Sequence, residues 1–222
     1  MVHLASTPKD QPASERLTKK AMENPEKYLS VLAEIKRRTK VVDDIISAGS
    51  RLRYRATSIE TACLQIRKIL ELVAFGSLIA NVRIYSAQHR RFAEHWNPKI
   101  MLKDMARVNP KFYPSPIIQK PSAIPGVGMD WIDRDQDYLT KEDFLSAYDK
   151  CGGILHAANP YGAATDFGAY ETNLTQWRNR IVNLLNAHTM TLVEDDHLYL
   201  FQMGAGDHKP TYHVFGPVRQ ES

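Results

Sequence analysis

Apolar residues at 59, 63, 66, 70 and 73 recur at alternating steps of four and three, and a second set at 62, 69, 72, 75 and 79 widens the same face. That period belongs to an α-helix buried over most of its circumference, so residues 57–80 predict the central helix of a bundle, with Thr57 or Ser58 as its N-cap. What stays polar is a narrow line: Glu60, Arg67 and Glu71, spaced so that they share one face. An isolated charge on a buried helix is expensive. The line must therefore meet counter-charges or border a cleft.

The same pattern extends in both directions. Residues 14–48 read as one or two helices, opened by Ser14-Glu15 or by Asn24-Pro25-Glu26. They carry a stripe of Tyr28, Leu32, Ile35, Val42, Ile45 and Ile46, and Gly49 follows as a stop. Beyond Ala80 the helical pattern continues to the break at Asn97-Pro98, and a short helix follows as far as Asn109-Pro110. Prolines at 110, 114, 116, 121 and 125, with Gly126 and Gly128, exclude a helix over 109–138. That segment predicts a wrapped loop or a short strand pair around Pro116–Gln119, packed down by Trp131. Thr140 caps the next helix, with Phe144 and Tyr148 facing inward. Leu174, Trp177, Ile181, Leu184 and Leu185 mark a last helix from about Ala169 to His188.

After residue 188 the period changes. TMTLV, HLYLFQM and TYHVFGPV are three β-rich runs separated by Glu194-Asp195-Asp196 and Gly204-Ala-Gly-Asp207, an antiparallel meander. The expected organisation is a tail at 1–13, a helical bundle at 14–188 with a Pro-rich loop at 109–138, and a C-terminal β-meander at 189–222 packed on the bundle. The fold class is mainly α, of the α+β kind.

Composition changes this picture in two places. The net charge of +4 divides unevenly: residues 1–111 hold 21 Lys and Arg against 11 Asp and Glu, a balance of +10, and residues 112–222 hold 8 against 14, a balance of −6. A basic half attracts polyanions, or the two halves complement each other within a monomer or dimer. The longest apolar run, LELVAFGSLIA, is about half of what a bilayer-spanning helix needs, so no membrane segment is expected. The first residues lack the cationic start and apolar centre of a secretory signal, which points to the cytoplasm. Cys63 and Cys151 have no metal-ligand spacing and are expected as reduced thiols.

Phosphate-cradling, zinc-protease, nucleophile-elbow and EF-hand motifs are all lacking. His188, His197, His208 and His213 crowd the last quarter beside Asp195, Asp196 and Asp207, but at spacings that fit no standard metal site, so neither metal nor cofactor is expected. Two segments place cations ahead of a histidine. In RRFAEH, Arg90 stands five residues before His95, in a charged stretch that also reads as solvated helix face. In KCGGILH, Lys150 stands six before His156, with Asn159 and Tyr161 beyond. Gly152 and Gly153 permit close backbone approach there. His156 also reads as a residue satisfying the carbonyls of a helix end.

The helix containing I66-R-K-I-L-E-L72, with Arg67 four before Glu71, followed later by an aromatic-rich helix ending near a histidine, resembles the HEPN-like helical proteins. Many members are metal-independent ribonucleases of toxin, CRISPR and phage-defence systems with an Arg-x4-6-His motif, and others are inactive binding modules. Arg90 and His95 match that motif in letters. His156 matches in position, with Lys150 where Arg is expected. The resemblance covers about residues 57–188. It implies an RNA-directed protein in which His156 or His95 is the base and Arg67, Arg90 or Lys150 lies near phosphate. Asn159, Tyr161 and Glu71 would help hold the substrate. Deprotonating a 2′-hydroxyl and stabilising phosphate charge requires one base near neutral pKa and at least one cation. Expected partners are RNA, a second copy, and an antitoxin or defence-system protein. The alternative is a non-catalytic, homodimeric interaction module that presents the meander.

Overall fold

The computed structural model describes residues 22–47, 54–88, 97–125, 128–193 and 195–216, through which run six helices and five strands. Helix α1 spans Pro25–Ser47, with the Asn24 carbonyl accepting the Tyr28 N–H at 3.2 Å. Its stripe of Tyr28, Leu32, Ile35 and Val42 is buried. Thr39 joins them because its hydroxyl donates to the Ile35 carbonyl at 2.9 Å, which satisfies a polar group inside the helix. The earlier start at Ser14-Glu15 and the stop at Gly49 lie outside the described residues.

Helix α2, Arg55–Ala80, is the centre of the core. It packs on α1 and on three later helices, α4 (Pro98–Val108), α5 (Lys141–Gly153) and α6 (Phe167–Leu185). Cys63, Ile66, Ile69 and Leu70 have no exposed surface, so truncating any one of the aliphatics to Ala would cost about 2–5 kcal/mol. The cap expected at Thr57 or Ser58 is not made. The helix starts two residues earlier, Tyr54 holds the cap position without a side-chain bond, and the Thr57 hydroxyl donates back to the Tyr54 carbonyl. Asn81 interrupts the helix before α3, Val82–Gln88. The remaining helix starts follow local chemistry. Asn97 accepts the N–H groups of Lys99 and Ile100 at the start of α4, and Thr140 and Asp143 close a capping box on α5.

The strands form one antiparallel sheet in the order β2-β1-β3-β4-β5. The three C-terminal strands β3 (Ala187–Thr191), β4 (Leu198–Gln202) and β5 (Thr211–Phe215) make the expected meander. Two more come from the Pro-rich segment, which is a hairpin of β1 (Ser115–Pro121) and β2 (Met129–Asp133) rather than a loop lying on the helices. The last helix also ends earlier than its periodicity implies. His188 lies in β3, opposite Phe201 of β4, with the two rings stacked at 5.6 Å. Strand pairing overrides the apolar period at that junction.

The register assigns the sheet's two faces. His188, Met190, Tyr199 and Phe201 point into the main core against the helices. Ile117, Ala187 and Leu200 lie on the other face as a small second core, with Trp131 packed over them. The architecture is α+β. No described helix is long and apolar enough to cross a membrane.

Candidate functional site

The polar line on α2 meets its partners on α5. Arg67 donates to the Tyr148 carbonyl at 3.2 Å and to its hydroxyl, and the guanidinium carbon sits 3.7 Å from the ring centroid. Its Nε lies 3.6 Å from Glu71, four residues on, and the Tyr148 hydroxyl donates to the same carboxylate at 3.3 Å. The cation is thereby neutralised, stacked and hydrogen-bonded at once. Burial, with the Glu71 charge, raises the Tyr148 pKa even though Arg67 works against it. A Cβ built on Gly152 would stand 2.6 Å from an Arg67 nitrogen, so this glycine is what lets the α5 backbone pass the guanidinium.

The glycine-histidine segment therefore does reach the polar line, but through Tyr148 and Gly152. His156 itself lies on the turn beyond α5, exposed, its backbone N–H directed at the Gly153 carbonyl. Among the described residues its ring has no hydrogen-bond partner. Asn159 is spent on its own turn, its side chain accepting the Tyr161 N–H at 3.0 Å and its carbonyl accepting from Gly162. Tyr161 is 96% exposed. Lys150 is exposed, and its carbonyl accepts the Tyr170 hydroxyl. His95 and Arg90 lie outside the described residues.

Behind Arg67 are Cys63 and Cys151, both free and fully buried between α2 and α5. Hydrogen bonding to Cys63 and burial push the Cys151 thiol far up, so it stays protonated.

The C-terminal histidines do three different things. His188 is fully buried. Its Nδ1 faces the Leu185 carbonyl at 3.1 Å and its Nε2 faces the Tyr28 hydroxyl at 2.8 Å. Of the two neutral tautomers only the Nδ1–H form satisfies both, with Tyr28 donating. Burial holds its pKa down, to about 4. His197 pairs through Nδ1 with Asp195, which also accepts the Tyr199 hydroxyl at 2.6 Å, and that hydroxyl accepts the Met22 N–H at 3.0 Å. This chain of bonds ties the start of the helical region to β4, and the bonds to the ionised form hold the Asp195 pKa low against its burial. His208 and His213 are exposed. Among the described residues no group of three or more His, Cys, Asp or Glu side chains is placed to hold a metal.

The sequence reading missed a cleft of about 570 Å³ between α1, α6 and the 203–210 loop. Its only forward signal was Lys36 and Lys40 at helical spacing; its far wall lies more than 160 residues along the chain. None of His156, Arg67 and Asn159 lines it.

Compared with known protein families, characterised proteins and solved structures, this chain matches none.

Proposed function

We propose that this chain is a non-catalytic interaction module that pairs with a second copy of itself through β5. One observation carries the reading. β5 ends the sheet, and among the described residues nothing is paired to its outer side. Natural proteins usually guard such an edge with lysine, proline or a bulge. Thr211–Phe215 holds none of these, its residues pair with β4 in unbroken register, and Val214 and Phe215 are 45% and 42% exposed. Two copies laid antiparallel along β5 would join their sheets and cover those side chains. The site agrees, because Arg67 is already engaged by Tyr148 and Glu71 and among the described residues the His156 ring has no partner to orient it as a base.

The test is the solution mass against concentration. The wild type is expected to form a dimer by about 100 µM, and Val214→Lys is expected to be monomeric with unchanged far-UV circular dichroism and melting. A wild type that stays monomeric, or a Val214→Lys protein that still dimerises, overturns the reading.

A second reading is favoured by the contact of Arg67 with Gly152, four residues ahead of His156. It is a HEPN-like, RNA-directed bundle acting as a metal-independent ribonuclease of a toxin or defence system. It expects cleavage of a mixed RNA pool in the presence of chelator, abolished by His156→Ala or His95→Ala. An intact pool removes it.

A further inference from the structure

The cleft beside α1 has the composition of a ligand site that neither functional reading uses. The apolar lining that reaches its surface is Ala33, Val182, Met203 and Ala205, with Ile35, Ile181 and Leu185 buried beneath. Its volume of about 570 Å³ falls in the range of small-molecule sites. The charges around it do not cancel. Arg178 is held by both oxygens of Asp43, at 2.5 and 2.8 Å, and Arg37 is held by Glu34 outside the cleft, so these two cations are spent. Three remain: Lys36, Lys40 and Lys209.

Lys36 is the unusual one. Its ammonium donates to three carbonyls of one loop, those of Met203 at 3.0 Å, Gly204 at 2.8 Å and His208 at 2.7 Å. Every N–H is satisfied, yet among the described residues no carboxylate bonds to it, so its hydrogen bonding is complete while its charge is unbalanced. Lys40, one turn further along α1, is largely exposed and only 3.9 Å from Asp207, whose side chain is itself fully exposed. Lys209 is exposed on the facing loop, with His208 exposed beside it. Among the described residues that line the cleft, the one acid set against these lysines is Asp207, beside Lys40. A partly enclosed positive site above an apolar floor favours a molecule with an anionic end and an apolar body, because water screens the charges least where the walls exclude it.

We propose that this cleft binds an organic phosphate, with the phosphate between Lys40 and Lys209 and the apolar body on Val182, Met203 and Ala205. Dianionic phosphate matches two flexible ammonium groups better than a carboxylate does, and the field of Lys36 reinforces both. This site is independent of the β5 edge, since no residue of Thr211–Phe215 lines it.

The experiment is titration calorimetry on the full chain with 1-naphthyl phosphate and adenosine monophosphate as probes, and with inorganic phosphate and 1-naphthol as their separate halves. At least one intact probe is expected to bind with a dissociation constant below about 1 mM, at least tenfold tighter than either half. Binding should weaken as salt rises. The double variant Lys40→Ala/Lys209→Ala, which removes two exposed side chains and leaves Lys36 in place, should lose that binding by about tenfold or more at an unchanged melting temperature. Lys120→Glu, on β1 away from the cleft, should bind as the wild type does. The proposal is overturned if neither probe binds, if the halves bind as well as the whole, or if the double variant retains wild-type affinity.

Discussion

Trp131 and Phe215 stand on the two opposite edge strands of a five-stranded sheet, and their rings meet edge to face at 4.8 Å. Flat strands at the usual spacing of about 4.8 Å would hold those edges roughly 19 Å apart. The sheet is therefore strongly coiled, and Ile117, Ala187 and Leu200 fill the hollow under the pair. Phe215→Ala is expected to shift tryptophan emission to the red and to cost about 0.5–1.5 kcal/mol with no change in helix content. The comparison is best made in a Val214→Lys background, where association through β5 cannot cover the indole. Unchanged emission would mean that the ring contact does not hold the two edges together.

His188 makes stability depend on pH. Its folded pKa of about 4 lies below the ordinary value of 6.5, so between those values the unfolded chain takes up a proton that the folded chain refuses. The stability it contributes is complete above pH 6.5 and is lost as pH falls toward 4, a difference of roughly 3 kcal/mol. Urea midpoints measured from pH 7 to 4.5 should fall more steeply for the wild type than for His188→Gln; parallel slopes would refute the assignment. Tyr28→Phe, which leaves Nε2 without its donor, should cost about 1–3 kcal/mol.

Gly152 and Arg67 should behave as one unit. Gly152→Ala pushes a methyl group against the guanidinium, which Tyr148 and Glu71 hold in place, and should destabilise by about 1–3 kcal/mol. In an Arg67→Ala background the obstruction is gone, and alanine's better helix propensity should make the same change neutral or stabilising by up to about 1 kcal/mol. Equal costs in the two backgrounds, measured by chemical denaturation, would show that the contact is not what requires glycine.

Cys63 and Cys151 should both resist a thiol reagent in the native state and react together on unfolding, because neither is exposed and the Cys151 thiol is held protonated. Rapid labelling of one thiol by Ellman's reagent in native buffer would place the packing of α2 against α5 in doubt.

What could be read from the chain was local. The period of α2, the Asn-Pro starts of α1 and α4, the Thr140 cap and the three meander strands depend on neighbours within a few residues, and all appear with small shifts at their ends. The β1–β2 hairpin was blurred because Pro116 and Pro121 suppress a strand reading. They are tolerated near the strand's ends: Pro116 stands one residue before the first β1–β2 pair, Ile117 with Asp133, and Pro121 is the strand's last residue. His188 read as the end of a helix because nothing nearby announces Phe201 and Tyr28, its partners in the core. Whether the glycine-histidine segment turns His156 toward the Arg67 line or toward water is not decided by its spacing. The contact with that line is made by Tyr148 and Gly152, since the backbone turns outward after α5. The basic cleft was illegible because its two walls are joined only by folding.

Lys36 binds its three carbonyls across 167 to 172 residues, and Met22 reaches Tyr199 across 177. Helix α1 is thus made early on the ribosome but has nowhere to finish until the last strands emerge. Helix α2 can cover part of the α1 apolar stripe once residues 55–80 emerge, but Tyr28 lacks His188 and Phe201 until the sheet forms, and closing that long loop should set the pace of folding. A nascent chain stalled before Met203 would leave Lys36 in water and helix α1 open to whatever binds unfinished proteins.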